Sequence, residues 1–163
     1  MVLAWLAVIP AATPLAAVGV ADYANLPLHG IAAVALVVDG AEENLTAYGF
    51  SRTALIAEIS ERLKRAGIDV LTPENLPRRP DAALLSLRLR LMRAPYYFYL
   101  YNVNLSLRSK VSLAQDAGAY ATAETWSDGS VGALQPSDLT PLRDLSLQLI
   151  DRFIAEHASQ NRG

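Results

Sequence analysis

The sequence predicts a single α/β (α+β) domain with a mixed sheet of about five strands, in the order β-α-β-β-β-β-α, and two helices packed on one face. The first observation behind this prediction is a long hairpin over residues 82–113, because apolar and polar side chains alternate along both arms. The second is a strand–helix–strand pattern over residues 31–71, which indicates a right-handed crossover between parallel strands. The third is an amphipathic helix that begins near residue 140.

The amino-terminal half of the domain contains the predicted crossover. Residues 31–38 are apolar on both faces, as in a central strand that is covered on both sides. Ser51 is a good N-cap for a helix to about residue 66. Gly67 then favours a left-handed C-cap, and residues 68–71 are predicted to form a short strand parallel to the first.

The hairpin places its odd-numbered apolar residues on one face and its even-numbered residues, many of them polar, on the other. Residues 93–95, Arg-Ala-Pro, supply the bend. Residues 72–81, before the hairpin, contain three prolines and are predicted to be a loop. After the hairpin, residues 119–126 are predicted to form a third antiparallel strand, and residues 127–132 a flexible loop rich in Gly and Ser.

The last predicted element is a long helix. Thr140 with Pro141 marks its start, since proline is favoured at the first helical position. Its apolar face predicts packing on the sheet to about residue 158, and residues 159–163 are expected to fray. Residues 22–163 are therefore predicted to form one domain.

The amino-terminal segment, residues 1–21, carries no charged side chain, and the first Lys or Arg is Arg52. Residues 2–9 resemble the apolar core of a secretory signal, and small residues follow them. A membrane anchor and a segment packed on the domain are the alternatives, but two prolines disfavour a continuous spanning helix. We therefore expect a periplasmic or otherwise exported protein, with membrane contact only through residues 1–21.

The residue inventory argues against catalysis. The chain has no Cys, which excludes disulfides, thiolate nucleophiles and thiolate metal sites. It has no glycine-rich nucleotide loop and no Gly-x-Ser-x-Gly motif. His29 and His157 lie far apart in the chain, and Glu42 with Glu43 reads as a solvated pair in a loop. We expect no enzymatic activity, no cofactor and no metal, and the net charge of −2 gives no reason to expect a nucleic-acid partner.

The even-numbered face of the hairpin and the third strand is the candidate binding site, unless it is merely a solvated sheet face. Eight residues are expected to share it: Arg88, Arg90, Asn102, Asn104, Arg108, Tyr120, Glu124 and Trp126. Trp, Tyr and Arg are common anchors of protein interfaces, so Trp126 is a candidate anchor. Such a face suits an envelope protein or peptide partner, whereas an enclosed apolar pocket would indicate a small-ligand or lipid carrier.

The element order resembles that of the small α/β domain at the amino terminus of TolB, and of related domains in CsgG-type and penicillin-binding-protein-activator envelope proteins. The residues that carry the resemblance are strand 31–38, the helix end Leu-Lys-Arg-Ala-Gly-Ile-Asp-Val at 63–70, and the long hairpin. The resemblance covers about residues 28–158. It implies a non-enzymatic role in envelope assembly or interaction and assigns no functional residue.

Overall fold

The computed structural model describes residues 27–40, 50–94, 98–113, 115–135, 137 and 139–161. The predicted segment 1–21, the Glu42–Glu43 loop and Tyr97 lie outside these residues. The described elements confirm the predicted order β-α-β-β-β-β-α and the five-stranded sheet. They are β1 (Ala33–Asp39), α1 (Arg52–Arg65), β2 (Asp69–Leu71), β3 (Ala82–Ala94), β4 (Phe98–Leu113), β5 (Asp116–Leu134) and α2 (Thr140–Gln160).

The crossover from β1 through α1 to β2 forms as predicted. The Ser51 hydroxyl accepts a hydrogen bond from the Ala54 amide at the start of α1. At the other end, Gly67 has a φ of 80°, and the Ile68 amide donates to the Leu63 carbonyl at 3.0 Å. This is the Schellman arrangement, and it brings the chain directly into β2. β2 pairs in parallel with β1.

The sheet has the strand order β2-β1-β3-β4-β5, with β3 parallel to β1 and antiparallel to β4. Arg93 and Ala94, which were predicted to form part of the bend, are strand residues of β3 that pair with Tyr99 and Phe98. Pro95 lies outside the described residues. Leu85, Leu87 and Leu89 of β3 are fully buried and Leu91 is partly buried, which confirms the predicted apolar face. We call the side of the sheet with Leu87 and Leu105 the helix face, and the side with Arg88 and Asn104 the open face.

Both helices lie on the helix face, as predicted. Leu55, Ile59 and Leu63 of α1 and Leu142, Leu149 and Phe153 of α2 share one core cluster with the buried residues of β1, β3 and β4. The two helices are also joined at their outer surfaces, where Arg62 of α1 donates to Asp151 of α2 at 2.6 Å and 2.8 Å. The residues of the open face therefore point away from the only core that the described residues form.

Strand β5 is much longer than predicted. The expected flexible loop at residues 127–132 is strand, and β5 begins at Asp116 rather than Ala119. Gly129 and Gly132, which suggested a loop, instead allow close packing. A Cβ atom on Gly132 would lie 2.6 Å from the hydroxyl of its cross-strand partner Tyr101, so the aromatic ring covers this position. Small residues here serve strand pairing and not chain flexibility.

The predicted loop at residues 72–81 contains a short 3₁₀ helix, Pro73–Arg78, that lies over β1 and β3. It covers the open-face side of β1, where Ala33 and Ala35 are fully buried. The guanidinium of Arg79 fixes this segment by contacting Asp81 at 2.8 Å and Asp69 at 3.5 Å. One end of the open face is therefore covered, whereas the part formed by the hairpin and β5 is not.

The end of α2 does not fray as the sequence predicted, at least as far as Asn161. The side chains of Gln160 and Asn161 accept hydrogen bonds from the amides of Leu28 and Gly30, at 2.9 Å and 2.8 Å. The side-chain Nδ2 of Asn161 also donates to the Leu28 carbonyl at 2.9 Å. Because these contacts satisfy backbone groups from distant parts of the chain, they hold the last turn of α2 against the approach to β1.

Candidate functional site

The pairing of β3, β4 and β5 brings most of the predicted site residues together on the open face. Arg88 lies opposite Asn104, Arg90 opposite Asn102, and Arg108 opposite Glu124. Tyr120 lies on the same face, four residues before Glu124 in β5. Seven of the eight predicted residues thus share one surface: Arg88, Arg90, Asn102, Asn104, Arg108, Tyr120 and Glu124.

Trp126 lies on the opposite face, so its predicted placement was wrong. Leu107 pairs with Trp126, but the next residue, Arg108, pairs with Glu124, which leaves Thr125 as an extra residue in β5. Such a bulge reverses which side chains of a strand point to each face. The Trp126 indole consequently packs edge-on against Phe153, with 5.3 Å between ring centroids, and its Nε1 donates to Glu156 at 2.8 Å.

The open face is cationic. Residues 82–115 contain five basic residues and no Asp or Glu, in a chain whose net charge is −2. The Nε of Arg88 lies 4.0 Å from a carboxylate oxygen of Asp39. Arg90 and Arg108 make no ion pair or side-chain hydrogen bond within the described part of the chain. On this face the cations Arg88, Arg90, Arg108 and Lys110 outnumber the acidic strand partners Asp39 and Glu124, and this excess produces a positive potential that favours an anionic partner.

A group of exposed apolar side chains lies at the bend end of the open face. We call it the tip patch, and it consists of Met92, Phe98, Leu100 and Val131, which are 64%, 43%, 43% and 72% exposed. Met92 pairs with Leu100, and Val131 pairs with Asn102, so these residues are neighbours across three strands. Contiguous exposed apolar surface of this kind commonly marks an interaction site.

The sequence-based site omitted the tip patch, although part of its signal was present. Met92, Phe98 and Leu100 occupy the same even-numbered positions as the predicted polar residues, closer to the bend. Selecting only polar and aromatic residues on that face excluded Met92 and Leu100. Val131 could not be placed because it fell within the predicted loop.

The opposite end of the open face contains a cleft of about 450 Å³, which we call the basal cleft. The 3₁₀ helix and Pro80 after it form one wall, and the neighbouring parts of β3, β4 and β5 form the rest. Its lining includes Leu76, Pro77, Leu84, Arg108, Lys110 and Tyr120. Lys110 is held with its ammonium group 3.9 Å from the centroid of the Tyr120 ring, a cation–π contact.

Arg79 also borders the basal cleft, but its charge is already compensated. Arg79 donates hydrogen bonds to the Asp81 carboxylate, and this contact raises the pKa of the Arg79 guanidinium and lowers the pKa of the Asp81 carboxyl. Asp69 is a weaker second partner of Arg79. Both groups are therefore ionised at neutral pH. Arg79 holds the wall of the cleft, and Arg108 and Lys110 are left to contact a ligand.

The described residues contain no group of three or more His, Asp or Glu side chains that could hold a metal ion. His157 Nε2 lies 2.6 Å from the Ile31 carbonyl, and His29 Nδ1 lies 3.0 Å from the Gln160 carbonyl. Both histidines contact the backbone where α2 meets the approach to β1. Their contacts have a structural role at this junction.

No protein-family model and no curated protein matches the chain. Among solved structures, it is similar to a minor lipoprotein from Acinetobacter baumannii, with 12% sequence identity over 80% of this chain and 93% of that chain. The TM-score is 0.30, and a similarity of this level carries no argument about function. Within the described ranges, no helix is both long enough and apolar enough to cross a membrane.

Proposed function

We propose that the protein is a non-enzymatic binding module of the cell envelope that holds a partner protein against the tip patch and the adjacent cations. The observation that carries the proposal is the contiguity of four exposed apolar side chains on the part of the open face that no described helix covers. Interfaces commonly combine such an apolar centre with a polar rim.

The rim of the tip patch indicates the chemistry of the partner. Arg90 and Asn102 form the cross-strand pair next to Met92 and Leu100 on the open face. An apolar partner surface bordered by Asp or Glu would complement this arrangement. Charge complementarity of this type increases the association rate and weakens with added salt.

The partner is tested by placing a photo-crosslinking amino acid at Val131 in the native host and identifying the captured protein by mass spectrometry. A crosslinker at Leu113, which is 39% exposed at the far end of β4, serves as the control. One protein is expected to be captured from Val131 and not from Leu113. With that protein purified, Leu100→Asp is expected to weaken binding at least about 30-fold, as for an interface hot spot. Equal capture from both positions contradicts the proposal.

Export is the second part of the proposal, and the uncharged residues 1–21 support it. Protein isolated from the envelope fraction of the native host is expected to begin near Val18 or Asp22. Intact-mass measurement determines the amino terminus directly. A cytoplasmic protein that retains Met1 would exclude export, and it would leave the binding role of the tip patch to be judged by crosslinking alone.

A further inference from the structure

The basal cleft differs chemically from the tip patch at the other end of the open face. The 3₁₀ helix and Pro80 after it contribute an apolar wall, with Leu76 and Pro77, and Leu84 of β3 also lines the cleft. Its volume of about 450 Å³ is within the range of small-molecule sites, which is roughly 300–1,000 Å³. The apolar part of the cleft therefore suits a short hydrocarbon chain rather than a protein surface.

The β4 and β5 side of the same cleft is cationic. Arg108 has no ion pair or side-chain hydrogen bond among the described residues, and the Lys110 ammonium contacts the Tyr120 ring. Glu124 pairs with Arg108 in the strand register but lies outside the lining of the cleft, which contains no acidic residue. The hydroxyl groups of Tyr120 and Thr122 provide further hydrogen-bond donors beside the two cations.

From this combination we propose that the basal cleft binds an amphipathic carboxylate, the chemistry of a free medium-chain fatty acid. The carboxylate contacts Arg108 and Lys110, because an ionised carboxylate forms charge-assisted hydrogen bonds with both side chains. The hydrocarbon chain lies between Leu84 and the wall formed by Leu76 and Pro77. Arg79 supports that wall through Asp69 and Asp81 and does not contact the carboxylate.

Chain-length dependence provides the first test. Octanoate, decanoate and laurate, each below its micellar concentration, are titrated into the full chain by isothermal calorimetry. Saturable binding at one site is expected, with affinity that rises by up to about fourfold for each added methylene while the chain remains inside the cleft. Acetate is expected not to bind. The absence of saturable laurate binding overturns the proposal.

Matched variants locate the site. Arg108→Gln and Lys110→Gln are expected to weaken laurate binding about tenfold each, whereas Arg88→Gln, on the same face but outside the cleft, is expected to change it less than twofold. Leu84→Trp fills the apolar part and is expected to abolish binding. Thermal melts establish that each variant folds, and Arg108→Gln is an exposed substitution that retains most of the side chain. Equal weakening by Arg88→Gln would show a diffuse charge effect and overturn the proposal.

A parallel assay with lipid vesicles distinguishes binding of a soluble carboxylate from binding to a membrane surface. Phosphatidylglycerol vesicles are tested by co-sedimentation alongside the laurate titration. Binding to vesicles without binding to laurate contradicts the proposal, because it indicates a membrane headgroup contact instead. Leu100→Asp in the tip patch is expected to leave laurate binding unchanged, so that this result stands independently of the partner protein.

Discussion

Replacement of Leu87 by alanine is expected to lower the free energy of unfolding by about 2–5 kcal/mol. Leu87 is fully buried on the helix face, between Val38 of β1 and Leu105 of β4 in the strand register. Removing its side chain loses apolar burial and leaves a cavity among rigid neighbours, and both effects destabilise the fold. Urea denaturation followed by circular dichroism measures the change.

Arg88 provides the matched control for Leu87, because it is the next residue on the same strand but lies on the open face. Its side chain is half exposed, and its Nε lies 4.0 Å from a carboxylate oxygen of Asp39. Arg88→Ala is expected to cost less than about 1 kcal/mol, as is usual for a screened surface pair. The reverse order of the two effects would mean that the faces of the sheet are assigned incorrectly.

Replacement of Trp126 by alanine is expected to cost about 2–4 kcal/mol, somewhat below the range for fully buried aromatic residues. The indole is partly exposed, but it packs against Phe153 and donates to Glu156 of α2. The variant therefore loses a contact that joins β5 to α2. Trp126→Phe keeps most of the packing and is expected to cost about 1 kcal/mol through the lost hydrogen bond.

Tyr120 is the aromatic control for Trp126, since it lies on the same strand and is 59% exposed on the open face. Tyr120→Ala is expected to change the free energy of unfolding by less than about 1 kcal/mol. Chemical denaturation of the three variants under one set of conditions makes the comparison. If Trp126→Ala proves as mild as Tyr120→Ala, the indole does not join β5 to α2.

Periodicity explains why the sequence predicted the architecture well. Alternation along residues 82–113 is unambiguous because the helix face of β3 and β4 is almost entirely leucine, valine and tyrosine. The capping residues Ser51 and Gly67 mark the ends of α1 by local hydrogen bonds, which depend on neighbours in the chain alone. The element order follows from such local signals, and the parallel pairing of β1 with β2 follows from the strand–helix–strand pattern. The position of β1 between β2 and β3 was not predicted.

The errors arise where distant residues determine the outcome. The bulge at Thr125 is defined by the pairing of β5 with β4, and no residue type in β5 predicts it. Simple alternation along the strand therefore placed Trp126 on the wrong face. The glycines of β5 led to the prediction of a loop. The reason for Gly132 is the ring of Tyr101, which packs over it from about thirty residues away in the chain and is not visible in the local sequence. The basal cleft likewise requires the 3₁₀ helix to lie beside β4 and β5, a juxtaposition that depends on the whole fold.

The hydrogen bonds between residues 28–30 and 160–161 have a consequence for protein engineering. They place the two ends of the described domain side by side, since the Leu28 and Gly30 amides contact side chains of Gln160 and Asn161 directly. Domains whose ends meet tolerate circular permutation and insertion into other proteins. We therefore expect residues 28–161 to tolerate insertion as a cassette into a surface loop of a host protein, because the chain would enter and leave at nearly one point.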